Sequence, residues 1–169
     1  LIGAWFGSLY FAMPLVLMSP LAFLARPARW PQAISRHRGT LTAAPNFAYE
    51  LCARKLDDAD LEGLDLSSLR LALNGAEPVS QATLEAFIER FVPHGLQPEA
   101  ITPVYGLAEC SVGLAFPPIG RGPRIDAIRR DAFVGEKRAV QAAEGEAGTM
   151  LLPACGRALP GHEIRIVDA

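Results

Sequence analysis

The sequence predicts an α/β fold, a mostly parallel sheet with helices on both faces. Three observations carry this expectation. Short apolar runs alternate with helical stretches over about a hundred residues, the order that builds a covered parallel sheet. Two of those runs, ending at Leu73 and Val104, stop at glycine-bearing turns, which puts two loops at one edge of one sheet. Between them Leu84, Phe87, Ile88 and Phe91 repeat with helical spacing, the clearest periodicity in the chain.

Taken in order, the chain opens with an apolar stretch, Leu1 to Ala25, that holds no charged residue. A membrane span needs about 20 apolar residues, but Pro14 and Pro20 break this one, and Gly7, Ser8 and Ser19 dilute it. It reads as a helix to Met13 followed by a strand over 15–18, buried on both faces, with no integral membrane span. No basic segment precedes it, which argues against a signal peptide. Pro27 to His37 reads as a helix, with proline in its first turn, Trp30 and Ile34 on one face and Gly39 as its stop. Residues 40–43 read as a short strand. Asn46 to Lys55 reads as a helix capped by Asn46, with Phe47 and Leu51 inward and Arg54 and Lys55 at its negative end. An acidic loop, a strand over 69–73, the helix 80–91 and a strand over 100–104 follow. Ser111 to Phe116 reads as one more strand, stopped by Pro117-Pro118.

From Gly120 to Gly148 the apolar spacing is lost, and loops with a hairpin are expected. The alternation Glu163-Ile164-Arg165-Ile166-Val167-Asp168 predicts a half-exposed final strand. The chain therefore divides into an α/β part, residues 1–119, and a less regular β part, residues 120–169.

Composition narrows the function. Half of the 169 residues are hydrophobic, the formal net charge is −2, and acids and bases are interspersed. A nucleic-acid binder would show a basic face, so no nucleic-acid partner is expected. The 3 cysteines lie far apart without zinc or disulfide spacing. Free thiols of this kind fit a reducing, cytoplasmic setting. There is no nucleophile elbow, phosphate loop or dinucleotide fingerprint. His37, His94 and His162 stand alone.

Two loops remain as candidates. In open α/β sheets, ligands sit outside the carboxyl ends of the strands. Tyr105 before Gly106 can lay a ring against a planar ligand, and Gly106 lets the backbone approach closely. A short helix beginning at Leu107 would offer free N–H groups to a phosphate. Glu109, one turn in, is a hard oxygen ligand for Mg²⁺. The same residues equally describe a core tyrosine, a turn and a helix-end acid. Asn74, Gly75, Ala76, Glu77 and Pro78 can offer backbone groups to a purine edge, or simply form a turn into a helix. Asn46 and Phe47 can line an apolar tunnel, or cap and pack a helix.

Asn74-Gly75-Ala76-Glu77-Pro78, Tyr105-Gly106-Leu107-Ala108-Glu109 and Gly156-Arg157-Ala158-Leu159-Pro160-Gly161, in this order, resemble the adenylate-forming superfamily of acyl-CoA synthetases and AMP ligases. Val16-Leu17-Met18-Ser19-Pro20 and Ala44-Pro45-Asn46-Phe47-Ala48-Tyr49 resemble, more narrowly, the fatty acyl-AMP ligases. The likeness runs over nearly the whole chain and is weakest from Arg121 to Met150.

The resemblance implies part of a large N-terminal domain and a reaction joining a fatty acid to ATP, with transfer to coenzyme A or an acyl carrier protein. It implies that Tyr105 stacks on adenine. It places Asn74 to Pro78 along adenine and ribose, Gly106 to Ala108 at the nucleotide, Glu109 on Mg²⁺, and Asn46 and Phe47 at the acyl chain. Ala108 stands where many relatives carry a phosphate-binding threonine, which removes one contact. The glycine-rich phosphate loop is expected before Leu1 and the lysine-bearing domain after Ala169. Lys137 does not match that lysine's motif. No catalytic residue is assigned to this stretch, which by itself is expected to be inactive. The alternative is a non-catalytic nucleotide- or acyl-binding module on the same fold.

Overall fold

The structure, a computed structural model, describes residues 2–167. Its centre is a parallel sheet of β1 (Leu41–Ala44), β2 (Leu71–Asn74) and β3 (Ile101–Pro103), in that order. Thr42, Ala72 and Ile101 stand in register, as do Ala44, Asn74 and Pro103. Each crossover carries a helix, as parallel pairing requires. The predicted α/β class and the three strands at 40–43, 69–73 and 100–104 are present, displaced by a residue or two.

Helices precede and separate these strands in sequence. Residues 2–6 form a π-helical stretch, running into α1 (Gly7–Tyr10), and α2 (Pro20–Ala25) follows. Then come α3 (Arg29–His37), α4 (Asn46–Lys55) and α5 (Gln81–Phe91). These three pack on the face of the sheet that carries Ala72 and Ile101. Tyr49, Cys52, Leu84, Phe87, Phe91 and Leu96 fill the core there, none more than 3% exposed. The indole of Trp30 reaches β1, donating from Nε1 to Thr42 Oγ1 at 2.9 Å. The Tyr49 hydroxyl donates to the Leu73 carbonyl at 2.9 Å. The aromatic side chains meet edge-on: Tyr49 to Phe87 at 5.0 Å and Trp30 to Tyr49 at 5.1 Å between ring centroids.

The second half is built from small antiparallel pairs. β4 (Ala115–Phe116) pairs with β7 (Arg157–Ala158), and β5 (Ile125–Arg129) with β6 (Thr149–Pro153). A hairpin within 120–148 is not what forms: β5 lies there, but its partner β6 begins at Thr149, and α6 (Arg130–Gly135) lies in the long connection between them.

Several local expectations are overturned. Residues 15–18 form no strand, and Val16 and Leu17 are 50% and 63% exposed. Apolar run or not, a strand needs a neighbour's ladder, and none borders this segment among the described residues. Residues 163–167 likewise form no strand; Ile166 is 96% exposed, and Asp168 lies outside the described residues. Ser111 to Phe116 keeps only its last two residues as β4, because Ser111 and Val112 take positive φ, which a strand does not continue, and ahead of them Ala108–Cys110 coils into a single 3₁₀ turn. That turn replaces the helix expected from Leu107. Gly39 does not end α3 by itself. Arg38 takes the left-handed position, φ 47°, and Gly39 N–H closes back on the Ile34 carbonyl at 2.9 Å. Phe47 does not turn inward but is 44% exposed; Ala48, Tyr49 and Cys52 face the core instead. Asn46 does not cap α4: the capping position is Pro45.

Candidate functional site

The register of the three parallel strands fixes the geometry. Ala44, Asn74 and Pro103 are opposite one another, so the segments leaving β1, β2 and β3 emerge side by side at the carboxyl edge. Asn46 and Phe47 follow β1, Gly75 to Pro78 follow β2, and Tyr105 to Glu109 follow β3. All the sequence-predicted site residues are thereby brought to one edge.

Backbone contacts weld the second and third segments. Val104 N–H donates to the Asn74 carbonyl at 2.8 Å. Gly75 is buried, and a Cβ there would stand 2.9 Å from both Cγ2 and the carbonyl oxygen of Val104. Glycine is therefore required for close approach, not for its φ. Ala76 has φ 68°, a left-handed conformation that costs a non-glycine residue on the order of 1 kcal/mol. Ala76, Glu77 and Pro78 are exposed, and open to a ligand.

The tyrosine loop is a tight reversal. Tyr105 N–H donates to the Ala115 carbonyl at 3.1 Å, and Ala115 N–H returns to the Tyr105 carbonyl at 2.9 Å. The Tyr105 side chain is 51% exposed. Its backbone is pinned while its ring stays available. A side chain at Gly106 would run into the Val112 carbonyl, so the loop closes only around glycine. Ser111 and Val112 both sit at positive φ, 53° and 90°. Such strain is uncommon for a β-branched residue and gathers at functional loops.

Glu109 is exposed on the 3₁₀ turn. Among the described residues no group of three or more acidic, histidine or cysteine side chains converges on a metal position. A lone exposed carboxylate suits Mg²⁺, which keeps several waters and shares its sphere with phosphates rather than sitting in an all-protein cage. The open loops, the glycine at Gly75 and the exposed ring of Tyr105 likewise suit a nucleotide.

One cluster escaped the sequence-based expectations. Asn46 Oδ1 accepts from Asn74 Nδ2 at 3.3 Å and from Ser80 N–H at 3.1 Å, while Asn46 Nδ2 donates to Thr83 Oγ1 at 3.3 Å. Asn46 and Thr83 are each 8% exposed and Asn74 is fully buried. Asn74 Oδ1 is left without a partner. A polar residue at a strand end, facing two helix starts, was the available signal. Phe47 lies instead on the outer face of α4, beside a groove of about 340 Å³ lined also by Glu50, Leu51, Arg54 and Lys55. A larger hollow, about 570 Å³, lies elsewhere, between Asp58, Leu61, Arg90 and His94.

In open parallel sheets ligands bind at the carboxyl edge, which is where these loops stand. The family model described as AMP-binding enzyme matches residues 1–169, and the chain belongs to that family. It is 48% identical over 132 residues to a 4-hydroxyphenylalkanoate adenylyltransferase of Mycobacterium tuberculosis, covering 77% of this chain and 21% of that protein. It is 41% identical over 161 residues to a medium-chain-fatty-acid–[acyl-carrier-protein] ligase of Moorena producens, covering 95% and 27%. The crystal structure of a fatty acyl-adenylate ligase from L. pneumophila, in complex with acyl adenylate and pyrophosphate, superposes with a TM-score of 0.88 at 34% identity, over 94% of this chain and 28% of that one. The chain thus spans 21% to 28% of the length of these relatives.

Proposed function

We propose that the protein to which this chain belongs activates a fatty acid with ATP, forming acyl-AMP and pyrophosphate, and passes the acyl group to a thiol of coenzyme A or an acyl carrier protein. The observation that carries this reading is the alignment of three loops at one sheet edge, in a chain whose relatives include a 4-hydroxyphenylalkanoate adenylyltransferase and a medium-chain-fatty-acid–[acyl-carrier-protein] ligase. Tyr105 stacks on the adenine. Asn74 to Pro78 border adenine and ribose, Gly106, Leu107 and Ala108 pass close to the nucleotide, and Glu109 holds Mg²⁺. Asn46 and Phe47 stand on the acyl side. Bound Mg²⁺ would neutralise phosphate charge as it develops. This chain's own contribution is positioning, which brings carboxylate and α-phosphorus into reach.

Residues 1–119 hold the pocket loops, and 120–169 form the less regular β part. Because the chain spans 21% and 27% of these ligases, the 169-residue stretch alone is expected to make no acyl-adenylate. The buried free thiol of Cys52 suits a reducing cytoplasm. No helix among the described residues is long and apolar enough to cross a membrane.

The test is fatty-acid-dependent pyrophosphate release by the intact protein. Tyr105→Ala removes a stacked ring worth about 1–3 kcal/mol, so the ATP requirement is expected to rise roughly tenfold or more. Glu109→Gln is expected to slow adenylation and raise the Mg²⁺ concentration needed. If instead both variants lose thermal stability while ATP and Mg²⁺ titrations stay normal, the two residues are structural and this assignment fails.

A further inference from the structure

Helix α4 starts without a cap of its own. Its capping residue is Pro45, which makes no side-chain cap, and its first turn holds no acid. The first amides of a helix have no partner within it and must find one elsewhere. Glu77, on the loop after β2, supplies it: its Oε1 accepts from Phe47 N–H at 2.6 Å. A carboxylate at a helix N-terminus is favoured by the helix dipole as well as by the hydrogen bond.

Asn46, the expected cap, serves the other helix. Its Oδ1 accepts from the N–H of Ser80, the residue whose own hydroxyl oxygen caps α5 by accepting from Thr83 N–H. Its Nδ2 reaches Thr83 Oγ1. Each loop therefore secures the start of the other loop's helix. Directly before Glu77 stands Ala76 at φ 68°, a conformation that persists only where surrounding contacts hold it.

We propose that Asn46 and Glu77 are positioning residues that join the acyl-side and nucleotide-side loops into one unit, so that filling one pocket favours filling the other. The inference rests on the adenylation reading above. Its physical basis is shared ordering: the first ligand fixes both loops, and the second binds to loops already fixed. The coupling is reciprocal by linkage.

The test uses the intact protein. Dodecanoate binding is titrated with and without a non-reacting α,β-methylene analogue of ATP. The wild type is expected to bind dodecanoate roughly fivefold or more tightly when the analogue is present. In Glu77→Ala that ratio is expected to fall toward one. Glu77→Asp keeps the charge but is one methylene too short to reach Phe47 N–H, and is expected to behave like alanine. Glu77→Gln keeps an acceptor oxygen at the right length and is expected to recover most of the ratio.

Three outcomes overturn the proposal. The first is a wild type that adenylates but shows no coupling, which leaves the adenylation reading standing. The second is a glutamine variant as impaired as alanine with a raised Mg²⁺ requirement, which puts Glu77 on nucleotide or metal directly. The third is a lowered melting temperature in every variant with the ratio unchanged. A wild type that forms no acyl-adenylate removes the basis of both readings.

Discussion

Cys52 is fully enclosed, and burial pushes its thiol up to about 12. The thiolate is the nucleophile, so this cysteine is shielded twice, by access and by protonation. In a native thiol titration Cys110 is expected to react first, then Cys155, whose thiol burial also raises, and Cys52 only on unfolding. Asp65 shows the opposite effect. It accepts from Ser67 N–H at 2.9 Å and from Arg38 Nη1 at 3.0 Å, and these bonds, Ser67's first, hold its carboxyl down to about 2 from an ordinary 3.8. A depressed acid stabilises the fold above its unfolded pKa and loses that contribution as pH falls through the folded one. Asp65→Asn is therefore expected to flatten acid destabilisation between pH 3.8 and about 2, measured as melting temperature against pH. The effect is expected to be small, since the pair is exposed and screened. The enclosure of Cys52 and the Arg38 contact of Asp65 depend on segments that meet only in the fold, whereas the Ser67 bond spans two residues and is local.

Helix α5 shows what a single element can reveal beforehand. Leu84, Phe87 and Phe91 all face the core, as their spacing predicts, because a stripe that must leave water has only one way to point. Phe87 sits 4.4 Å from Phe91 between ring centroids and is 3% exposed. Phe87→Ala is expected to lower stability by about 3–5 kcal/mol in denaturant unfolding. Helix α4 was harder to read. Its bounds were legible, but Phe47 points out and Tyr49 in, since the face a short helix buries depends on where its neighbours lie. Phe47→Ala is accordingly expected to cost far less stability than Phe87→Ala. The tyrosine loop gives a sharper test. Gly106→Ala would set a methyl against the Val112 carbonyl, so the loop must open. The variant is expected to keep the cooperative unfolding of the core and lose the response to ATP.

At the scale of the whole molecule, helices α3, α4 and α5 cover one face of the parallel sheet, and the other stays partly open. Leu41 is 57% exposed on that second face, and Leu71 and Leu73 beside it are half-buried. Leu9, Tyr10, Phe11 and Leu21 are each at least 67% exposed. Apolar surface of this extent drives association in water. The 169-residue chain expressed alone is expected to bind a hydrophobic dye and self-associate, as read by fluorescence and light scattering. A dye-silent monomer would contradict this.

The sequence alone determined the parallel α/β order, the three helices of the covered face and the two glycine loops. Each of these follows from local rules: apolar periodicity, proline and glycine punctuation, and short runs separated by crossovers. The ordered motifs also carry the family resemblance. Tertiary structure alone decided which loops touch. It turned Asn46 from a local cap into the anchor of α5, and brought Glu77 across 30 residues of chain to the start of α4. It also withheld strands from 15–18 and 163–167, whose apolar patterns are real but whose backbone finds no partner. A hydrogen bond between distant residues leaves no periodic trace in a sequence. A strand exists only where another strand's free amides and carbonyls lie beside it.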